Sequence, residues 1–426
     1  MKILGYTDRL SVSAGMTIQF MVSSEHRRYR ADLVRLIHGD TNSDGPGFKD
    51  REVASSISGE YPGRRQEIHS GSYIRIPSST VLEDLRSFTV SAWVFPTTSK
   101  HGVQGLMGAW SENPVRQGVA LMIGERGDLC LRLANSAGDV FEIATGVPLL
   151  DGDWTHVGAS YDASSGSVVV AQQPKRAWPG DVGRMVVVGV SPVKMCPPNE
   201  SPFFMACLTA PREGTRGAVV SPYNGKLDKP RLYSRALAQT GLFRLAADDR
   251  CEEFDECLGA AWDLSHDLDS NRVADTGPHA LHGMTVNMPT RGVTGHDWTG
   301  EETSFRLAPD QYGAIHFHDD DLEDAGWDVD FTLTIPRDLP SGVYAARLRA
   351  ESDEDYVPFC VRPAERSQRA RIAVLMPTLT YVAYANFRDL DGGFWSHDRL
   401  PNANAALHPD EYAYIRANGL PGLYER

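Results

Sequence analysis

The sequence predicts a mainly β protein whose last part enters an α/β region. Apolar residues alternate with polar ones along Thr17–Ser24, as in a strand that buries one face. From about Pro62 to Leu242, many short strand-like stretches are separated by turn residues, which is the pattern of an all-β sandwich. The short apolar run Ile372–Met376 is typical of a strand buried on both faces, and Pro377 would end it.

Composition and charge narrow the class of protein. A length of 426 residues predicts about two to four domains. Lys and Arg total 42 against 56 Asp and Glu, for a net charge of -14, and no basic stripe offsets this balance, so we expect no nucleic-acid partner. The N-terminus turns polar soon after Lys2, and no apolar window is long enough to span a bilayer. We therefore expect a cytoplasmic protein without a membrane contact.

The cysteines and the loop near residue 40 offer weak metal signals. The six cysteines form no C-x-x-C pair, which predicts reduced structural thiols and no zinc site. Asp40, Asn42, Asp44 and Gly45 match the first positions of a calcium loop, but its last position holds Arg51 where a bidentate Glu is needed. We therefore expect a turn rich in Asn and Asp instead.

Histidines near acidic residues are a further candidate ligand group. His316 and His318 lie on one face of a predicted strand beside Asp319–Asp321, which is metal-like chemistry, but a run of charges is usually a solvated face. Four other histidines lack metal-ligand spacing and are expected to be loop residues: His266, His279, His282 and His296.

Four segments in the sandwich region are similar, in order, to the laminin-G-like, concanavalin-type jelly roll: Gly71–Pro77, Ser87–Thr98, Asp151–Val170 and Tyr223–Gly241. Asp275–Gly277 followed by His282–Gly283 resembles another strand and turn of that fold. Such domains often bind sugars, but a fold does not determine function.

The segment Ser87–Thr98 predicts a sheet that is packed on both sides. The even-numbered residues from Phe88 to Val94 share one face, whereas Trp93 and Phe95 point the other way. Trp93, Trp110 and Trp154 could stack on a ligand, but core packing is the commoner fate of large aromatic side chains, and we expect it here.

Over most of its length the chain resembles the N-terminal portion of the large (beta) subunit of the N,N-dimethylformamidase family. The matching segments are ILGYTDRLSVSAG, DLVRLIHGDTNSDGPGFK, QYGAIHFHDDDLEDAGW, DEDYVPFCVRP and, most specifically, LTYVAYAN. With the jelly-roll motifs, this predicts an immunoglobulin-like β-sandwich (1–61 and 306–363) interrupted by a laminin-G-like jelly roll (62–305). Residues 364–426 would begin an α/β, glutamine-amidotransferase-like catalytic domain.

The resemblance implies a mononuclear iron (Fe³⁺) held by two tyrosines and one glutamate. The matching positions are Tyr384, in Y-x-A-Y-A-N, and Tyr424, in GLPGLYE, which has one extra residue in its loop. Tyr381 and Asn386 are candidates to line the pocket. A phenol ligates near neutral pH only if a cation lowers its pKa from about 10. By spacing alone, Tyr381 and Tyr384 would more often be core aromatics.

The implied activity is hydrolysis of a small N-alkylated formamide to formate and an amine by metal-activated water. No common hydrolase or nucleotide-binding motif competes with it. The third ligand, a glutamate, is expected beyond residue 426, since neither Glu411 nor Glu425 matches its position. We therefore expect these 426 residues alone to be inactive.

A second hypothesis is a non-catalytic β-sandwich module for binding, for example of carbohydrate, or for assembly. The resemblance implies, as partners, a small amide substrate, a small helical subunit and further copies of the chain.

Overall fold

The chain folds into two compact units. The computed structural model describes residues 2–39, 44–176, 184–212, 214–215, 217–248, 251–363 and 371–384. The discontinuous unit consists of the described residues of Met1–Ile68 and Gly326–Arg426, and the continuous unit is His69–Ala325. The second boundary therefore follows Ala325 rather than residue 305, because a strand at Ala314–Phe317 pairs within the continuous unit.

The strands are numbered in chain order. The first part of the discontinuous unit contains β1 (Ile3–Thr7), β2 (Ser11–Ser13), β3 (Thr17–Ser24), β4 (Arg28–His38), β5 (Lys49–Glu52) and β6 (Gly59–Pro62). The continuous unit contains β7 (Tyr73–Ile76), β8 (Phe88–Pro96), β9 (Gln104–Ser111), β10 (Gln117–Ile123), β11 (Asp128–Ala134), β12 (Val140–Pro148), β13 (Thr155–Tyr161), β14 (Ser167–Pro174), β15 (Met185–Val190), β16 (Phe203–Met205), β17 (Gly225–Tyr233), β18 (Leu258–Asp263), β19 (Arg272–Asp275), β20 (Gly283–Val286), β21 (Thr290–Val293) and β22 (Ala314–Phe317). The second part of the discontinuous unit adds β23 (Phe331–Thr334), β24 (Gly342–Ala350) and β25 (Asp353–Arg362).

Helices are few and short in the part of the chain that the structure describes. They are α1 (Thr80–Glu83), α2 (Gln239–Ala247), α3 (Thr378–Tyr384) and two 3-10 helices at Glu252–Cys257 and Pro309–Tyr312. The prediction of a mainly β protein is confirmed. Within the described residues, no helix combines the length and the apolar character that crossing a bilayer requires.

The discontinuous unit is a two-sheet sandwich. One sheet has the order β1-β3-β23, and the other has the order β2-β25-β24-β4-β5, with β6 also paired to β4. The predicted alternation of β3 is confirmed, because Ile18, Phe20 and Val22 are buried in the core between the sheets. Phe20 stacks on Phe331 at a ring-centroid distance of 4.9 Å and meets the edge of Phe359 at 5.7 Å. Both chain segments are therefore needed to build this core.

The continuous unit is a jelly roll in which strands distant in sequence lie side by side. Its strands follow the order β12-β11-β10-β9-β16-β7-β20-β19-β18-β17-β8-β13-β14-β15, and β22 joins β17 to β21. At β8, the even-numbered residues Phe88 to Val94 enter the main core. On the opposite face, Trp93 is buried and Phe95 contacts Trp154 with ring centroids 5.4 Å apart. The predicted packing on both faces of this strand is confirmed.

The predicted strand Ile372–Met376 is not a strand in the structure. Ile372 is 83% exposed and Leu375 is 93% exposed. An apolar strand is buried only when neighbours pair with it, and no described residue does so. The α/β region is not otherwise seen, because residues 385–426 lie outside the described part.

Candidate functional site

Only part of the predicted tyrosine segment lies within the described residues. Pro377 precedes α3, which ends at Tyr384, and the side chain of Tyr381 is 55% exposed. For Tyr384 the structure describes the helical backbone. Asn386 and Tyr424 lie outside the described residues, so the iron ligand set stays a prediction.

A cluster of three potential ligands lies in the continuous unit. Asp228 is in β17, whereas His296 and Asp297 follow β21 in the loop that leads to the second 3-10 helix. Ligand atoms of the three side chains lie within 4.8 Å of one another. Asp228 and His296 are buried, and Asp297 is partly buried. We refer to these three residues as the Asp-His-Asp cluster.

A β-bulge positions Asp228. The pairing of β17 with β8 shifts register between Asp228 and Arg231. Lys229, inside the shift, has a φ of 47°, and Pro230 has no N–H to give to a ladder. Bulges bend a strand and redirect its side chains. This local irregularity therefore accounts for the buried position of the Asp228 carboxylate.

His296 is held by Asp228 and by tryptophan rings. Asp228 Oδ2 accepts hydrogen bonds from His296 Nδ1 at 2.7 Å and from the His296 backbone N–H at 3.0 Å. The imidazole stacks on Trp93 with centroids 4.5 Å apart and planes 12° apart, and Trp154 meets it edge-on at 6.3 Å. Because a carboxylate only accepts, Nδ1 carries the proton in this arrangement.

Two oxygens of the cluster accept no hydrogen bond from the described part of the protein: Oδ1 of Asp228 and Oδ1 of Asp297. Burial raises the pKa of Asp297, and the nearby Asp228 carboxylate raises it further, against the opposing effect of His296. Gly295 packs so closely that a Cβ there would lie 2.7 Å from Asp228 Oδ2 and 3.1 Å from Asp297 Oδ1. The cluster is thus a tight group of acidic oxygens and one imidazole.

His296 lies in a loop, as predicted for the four histidines His266, His279, His282 and His296. Its side chain is nevertheless buried, whereas His266 and His279 are exposed. Its partner Asp228 is far away in sequence, so no local spacing could reveal the pair. Asp228 is the single acidic residue of β17, but the strand also contains Lys226, Lys229 and Arg231, so its sequence does not mark this charge as buried.

Other metal-like groups are engaged by protein partners. Asp321 Oδ2 accepts hydrogen bonds from Ser72 Oγ at 2.7 Å and from the His318 backbone N–H at 3.1 Å. Asp321 is buried, so the predicted solvated face is wrong at this residue. All six cysteines are free thiols. In the proposed turn near residue 40, Asp40 and Asn42 lie outside the described residues.

The tryptophans follow the core-packing prediction at two of three positions. Trp93 and Trp110 are buried, and Trp110 donates from Nε1 to Glu112 Oε1 at 2.8 Å. Trp154 is partly exposed. The stacking partner of Trp93 is His296, an internal side chain.

The strand order and a family match define the class of the continuous unit. Residues 69–173 match the model of the concanavalin A-like lectin/glucanases superfamily. Residues 290–414 match a second model, described as N,N-dimethylformamidase beta subunit-like, C-terminal.

Two curated relatives extend this similarity across the chain. The N,N-dimethylformamidase beta subunit of Paracoccus aminophilus is 37% identical over 404 residues, covering 90% of this chain and 52% of that protein. The beta subunit of the same name from an Alcaligenes species is 33% identical over 400 residues, with the same coverage of 90% and 52%. The predicted resemblance to this family is therefore confirmed. The chain spans about half the length of the curated relatives it matches.

Among solved structures, the CBM40 module of a Ruminococcus gnavus sialidase bound to sialyllactose is similar to the chain. It shares 14% identity, covers 42% of this chain and 96% of its own, and has a TM-score of 0.33. The jelly-roll assignment rests on the strand order and the family match instead.

Proposed function

We propose that this chain is the large-subunit portion of an iron-dependent amidohydrolase that cleaves a small N-alkylated formamide to formate and an amine. The observation that carries the proposal is the similarity to two proteins named N,N-dimethylformamidase beta subunit, at 37% and 33% identity over 90% of the chain. The motif LTYVAYAN, in which Tyr384 is the second tyrosine, supports the same assignment.

The reaction consumes one water per amide. The water oxygen forms a bond to the formyl carbon, the carbon–nitrogen bond breaks, and the departing amine takes up a proton. A ferric ion, when bound, supplies charge stabilisation for the formyl oxygen and lowers the pKa of water. The predicted donor set, two phenolic oxygens and a carboxylate, suits a hard trivalent cation.

In this proposal Tyr384 and Tyr424 hold the iron through their phenolic oxygens. Each must lose its proton to do so, and the ordinary phenol pKa of about 10 opposes that loss without a cation. Tyr381, one helical turn earlier in α3, and Asn386 would contact the substrate or orient a ligand.

The proposed assembly contains other chains. The relatives are named as beta subunits, which supports a multi-subunit assembly. We propose that the other members are a small helical subunit and further copies of this chain. The six free thiols are compatible with a reducing compartment, and we place the protein in the cytoplasm.

The test compares Tyr384→Phe with Tyr381→Phe in the protein purified with its co-expressed subunits. We expect the wild-type protein to release formate and dimethylamine from N,N-dimethylformamide in equal amounts. It should also contain iron and show a visible tyrosinate charge-transfer band. Tyr384→Phe should lose the band and about 100-fold or more of the activity, because a ligand oxygen is removed. Tyr381→Phe should keep the band.

Three results would refute the proposal: an iron-free, colourless active enzyme, full activity in Tyr384→Phe, or no amide hydrolysis by the wild-type assembly. Tight binding to a glycan array without formate release would favour the carbohydrate-binding alternative. The 426-residue chain without co-expressed subunits should be assayed in parallel for iron content and formate release.

A further inference from the structure

We propose that the Asp-His-Asp cluster of the continuous unit binds one divalent cation of the first-row transition series, such as Zn²⁺ or Mn²⁺. The three side chains are Asp228, His296 and Asp297, whose ligand atoms lie within 4.8 Å of one another. This inference is independent of the proposed hydrolysis and of Tyr384.

The first support is an unsatisfied buried oxygen. Asp228 has a relative exposure of 0%, and its Oδ1 has no hydrogen-bond partner in the described part of the chain. Buried carboxylate oxygens are normally hydrogen-bonded or bound to metal, because an unpaired buried charge is costly. Oδ1 of Asp297 is a second buried oxygen in the same situation. A cation bound by both oxygens of Asp228 and by Oδ1 of Asp297 would satisfy the two unpartnered oxygens.

The second support is the charge balance. Two carboxylates face one imidazole, so even a protonated His296 leaves one excess negative charge among these three side chains. The positive charge of Lys229 opposes the rise in the pKa of Asp297, but Asp297 Oδ1 accepts no hydrogen bond from the described residues. Two carboxylates and a neutral imidazole together neutralise one divalent cation, which would remove the repulsion between Asp228 and Asp297.

The third support is the spacing of donor atoms. His296 Nδ1 and Asp228 Oδ2 are 2.7 Å apart and joined by a hydrogen bond through the Nδ1 proton. Two ligands at about 2.1 Å from one metal, at right angles, would be about 3 Å apart. A cation can therefore replace this proton with only a small movement of the two side chains.

The mixture of ligands selects the class of ion. Calcium takes six to eight oxygen ligands, whereas imidazole with carboxylates suits zinc, manganese and similar ions. The packing of Trp93 against His296 keeps the imidazole in place. Gly295 allows the loop backbone to approach Asp228, where a Cβ would clash. A bound ion would thus fasten the loop after β21 to the bulge of β17.

The experiment uses the full-length protein after treatment with a chelator. Thermal unfolding and titration calorimetry are followed with ZnCl₂, MnCl₂ and CaCl₂ in separate arms. We expect one ion per chain at this site, and a rise in Tm of about 5 °C or more at 100 times the Kd of ZnCl₂ or MnCl₂. Co²⁺ should give visible absorption bands that report mixed nitrogen and oxygen ligands.

Two variants locate the ion. Asp297→Asn keeps the size of the side chain but should weaken binding by at least about 10-fold, since one charged ligand is lost. The matched control is Asp263→Asn. Asp263 belongs to another Asp–His pair of the same unit, outside the cluster, in which its Oδ2 lies 3.2 Å from His266 Nδ1. Asp263→Asn should keep both the affinity and the Tm rise.

Four results would overturn the inference. They are no response to ZnCl₂ or MnCl₂ at about 1 mM, a response to CaCl₂ alone, an equal loss of binding in both variants, and an unchanged affinity in Asp297→Asn. The Co²⁺ spectrum of the wild-type protein keeps the inference testable if Asp297→Asn does not fold. Binding of zinc or manganese in Tyr384→Phe, with affinity unchanged, is also expected, so failure of the proposed iron site would be seen separately.

Discussion

The turn after β19 depends on one buried carboxylate, which makes a graded stability prediction possible. Asp275 Oδ1 accepts hydrogen bonds from the backbone N–H groups of Ala261 and Gly277, both at 2.8 Å. Its Oδ2 accepts from the backbone N–H of Leu281 at 2.7 Å. One side chain thereby joins β18 to both ends of the turn that follows β19. Gly277 is required beside it, since a Cβ there would lie 2.9 Å from Asp275 Oδ1.

Replacing Asp275 with Ala or Asn removes different numbers of these bonds. Ala removes all three, and each hydrogen bond to a charged group contributes about 1.5–3 kcal/mol. Because the turn can relax and admit water, we expect Asp275→Ala to lower the free energy of unfolding by about 3–5 kcal/mol. In Asp275→Asn the amide oxygen can still accept from Ala261 and Gly277, so the expected cost is about 1.5–3 kcal/mol.

These costs can be measured by thermal unfolding of the full chain. For a unit of this size, 1 kcal/mol corresponds to about 2–4 °C in Tm, so Asp275→Ala should lower the Tm by about 6–20 °C and Asp275→Asn by about half as much. Fluorescence of Trp262 reports on the same turn, because its Nε1 donates to the Leu281 carbonyl at 2.7 Å. The exposed Asp269→Asn serves as the control. A Tm change below about 2 °C in Asp275→Ala, or an equal effect of Ala and Asn, would refute the reasoning.

Two further predictions concern the discontinuous unit. Burial alone would raise the pKa of Asp32, but hydrogen bonds from Arg30 and Arg349 outweigh it and hold that pKa below its ordinary value. The Asp32 carboxylate therefore stabilises the folded chain above its unfolded pKa of about 3.9, and this stabilisation is lost as the pH falls through the lower folded pKa. The difference in free energy of unfolding between wild type and Asp32→Asn should accordingly shrink below about pH 4. A constant difference in urea unfolding from about pH 7 to 3 would contradict this assignment. Phe20→Ala should lower the free energy of unfolding, measured in urea, by about 3–5 kcal/mol. The control Gln19→Ala, on the exposed face of the same strand, should lower it by less than about 1.5 kcal/mol. Equal losses in the two variants would show that Phe20 is not in the core.

Strand patterns were the part of the fold that local sequence could predict. In β3 and β8, alternation reports which side chains face a core, and the structure buries those residues. The jelly-roll motifs identified the continuous unit because turns and strand ends carry residue-specific requirements, as Asp275 and Gly277 illustrate. The sharing of one core by β3 and β25, by contrast, follows from contacts that no local window contains.

The Asp-His-Asp cluster shows the same limit for sites. His296 carries no local spacing that marks it as buried, and its hydrogen-bond partner Asp228 comes from a strand many residues earlier. The bulge that presents Asp228 depends on the pairing of β17 with β8. The sequence places Asp228 in a strand that also contains Lys226, Lys229 and Arg231, and only the fold shows that the aspartate is buried against His296.

The run Ile372–Met376 illustrates why a correct pattern can give a wrong structural prediction. Apolar residues at consecutive positions indicate a segment that gains free energy when both faces are covered, by about 25 cal/mol for each Å² removed from water. That gain exists only if neighbouring strands supply the cover. Among the residues described, none pairs with this run, and Val374 and Leu375 remain exposed. The apolar pattern therefore indicates that the segment needs neighbouring strands on both sides, and a strand forms only where such neighbours pair with it.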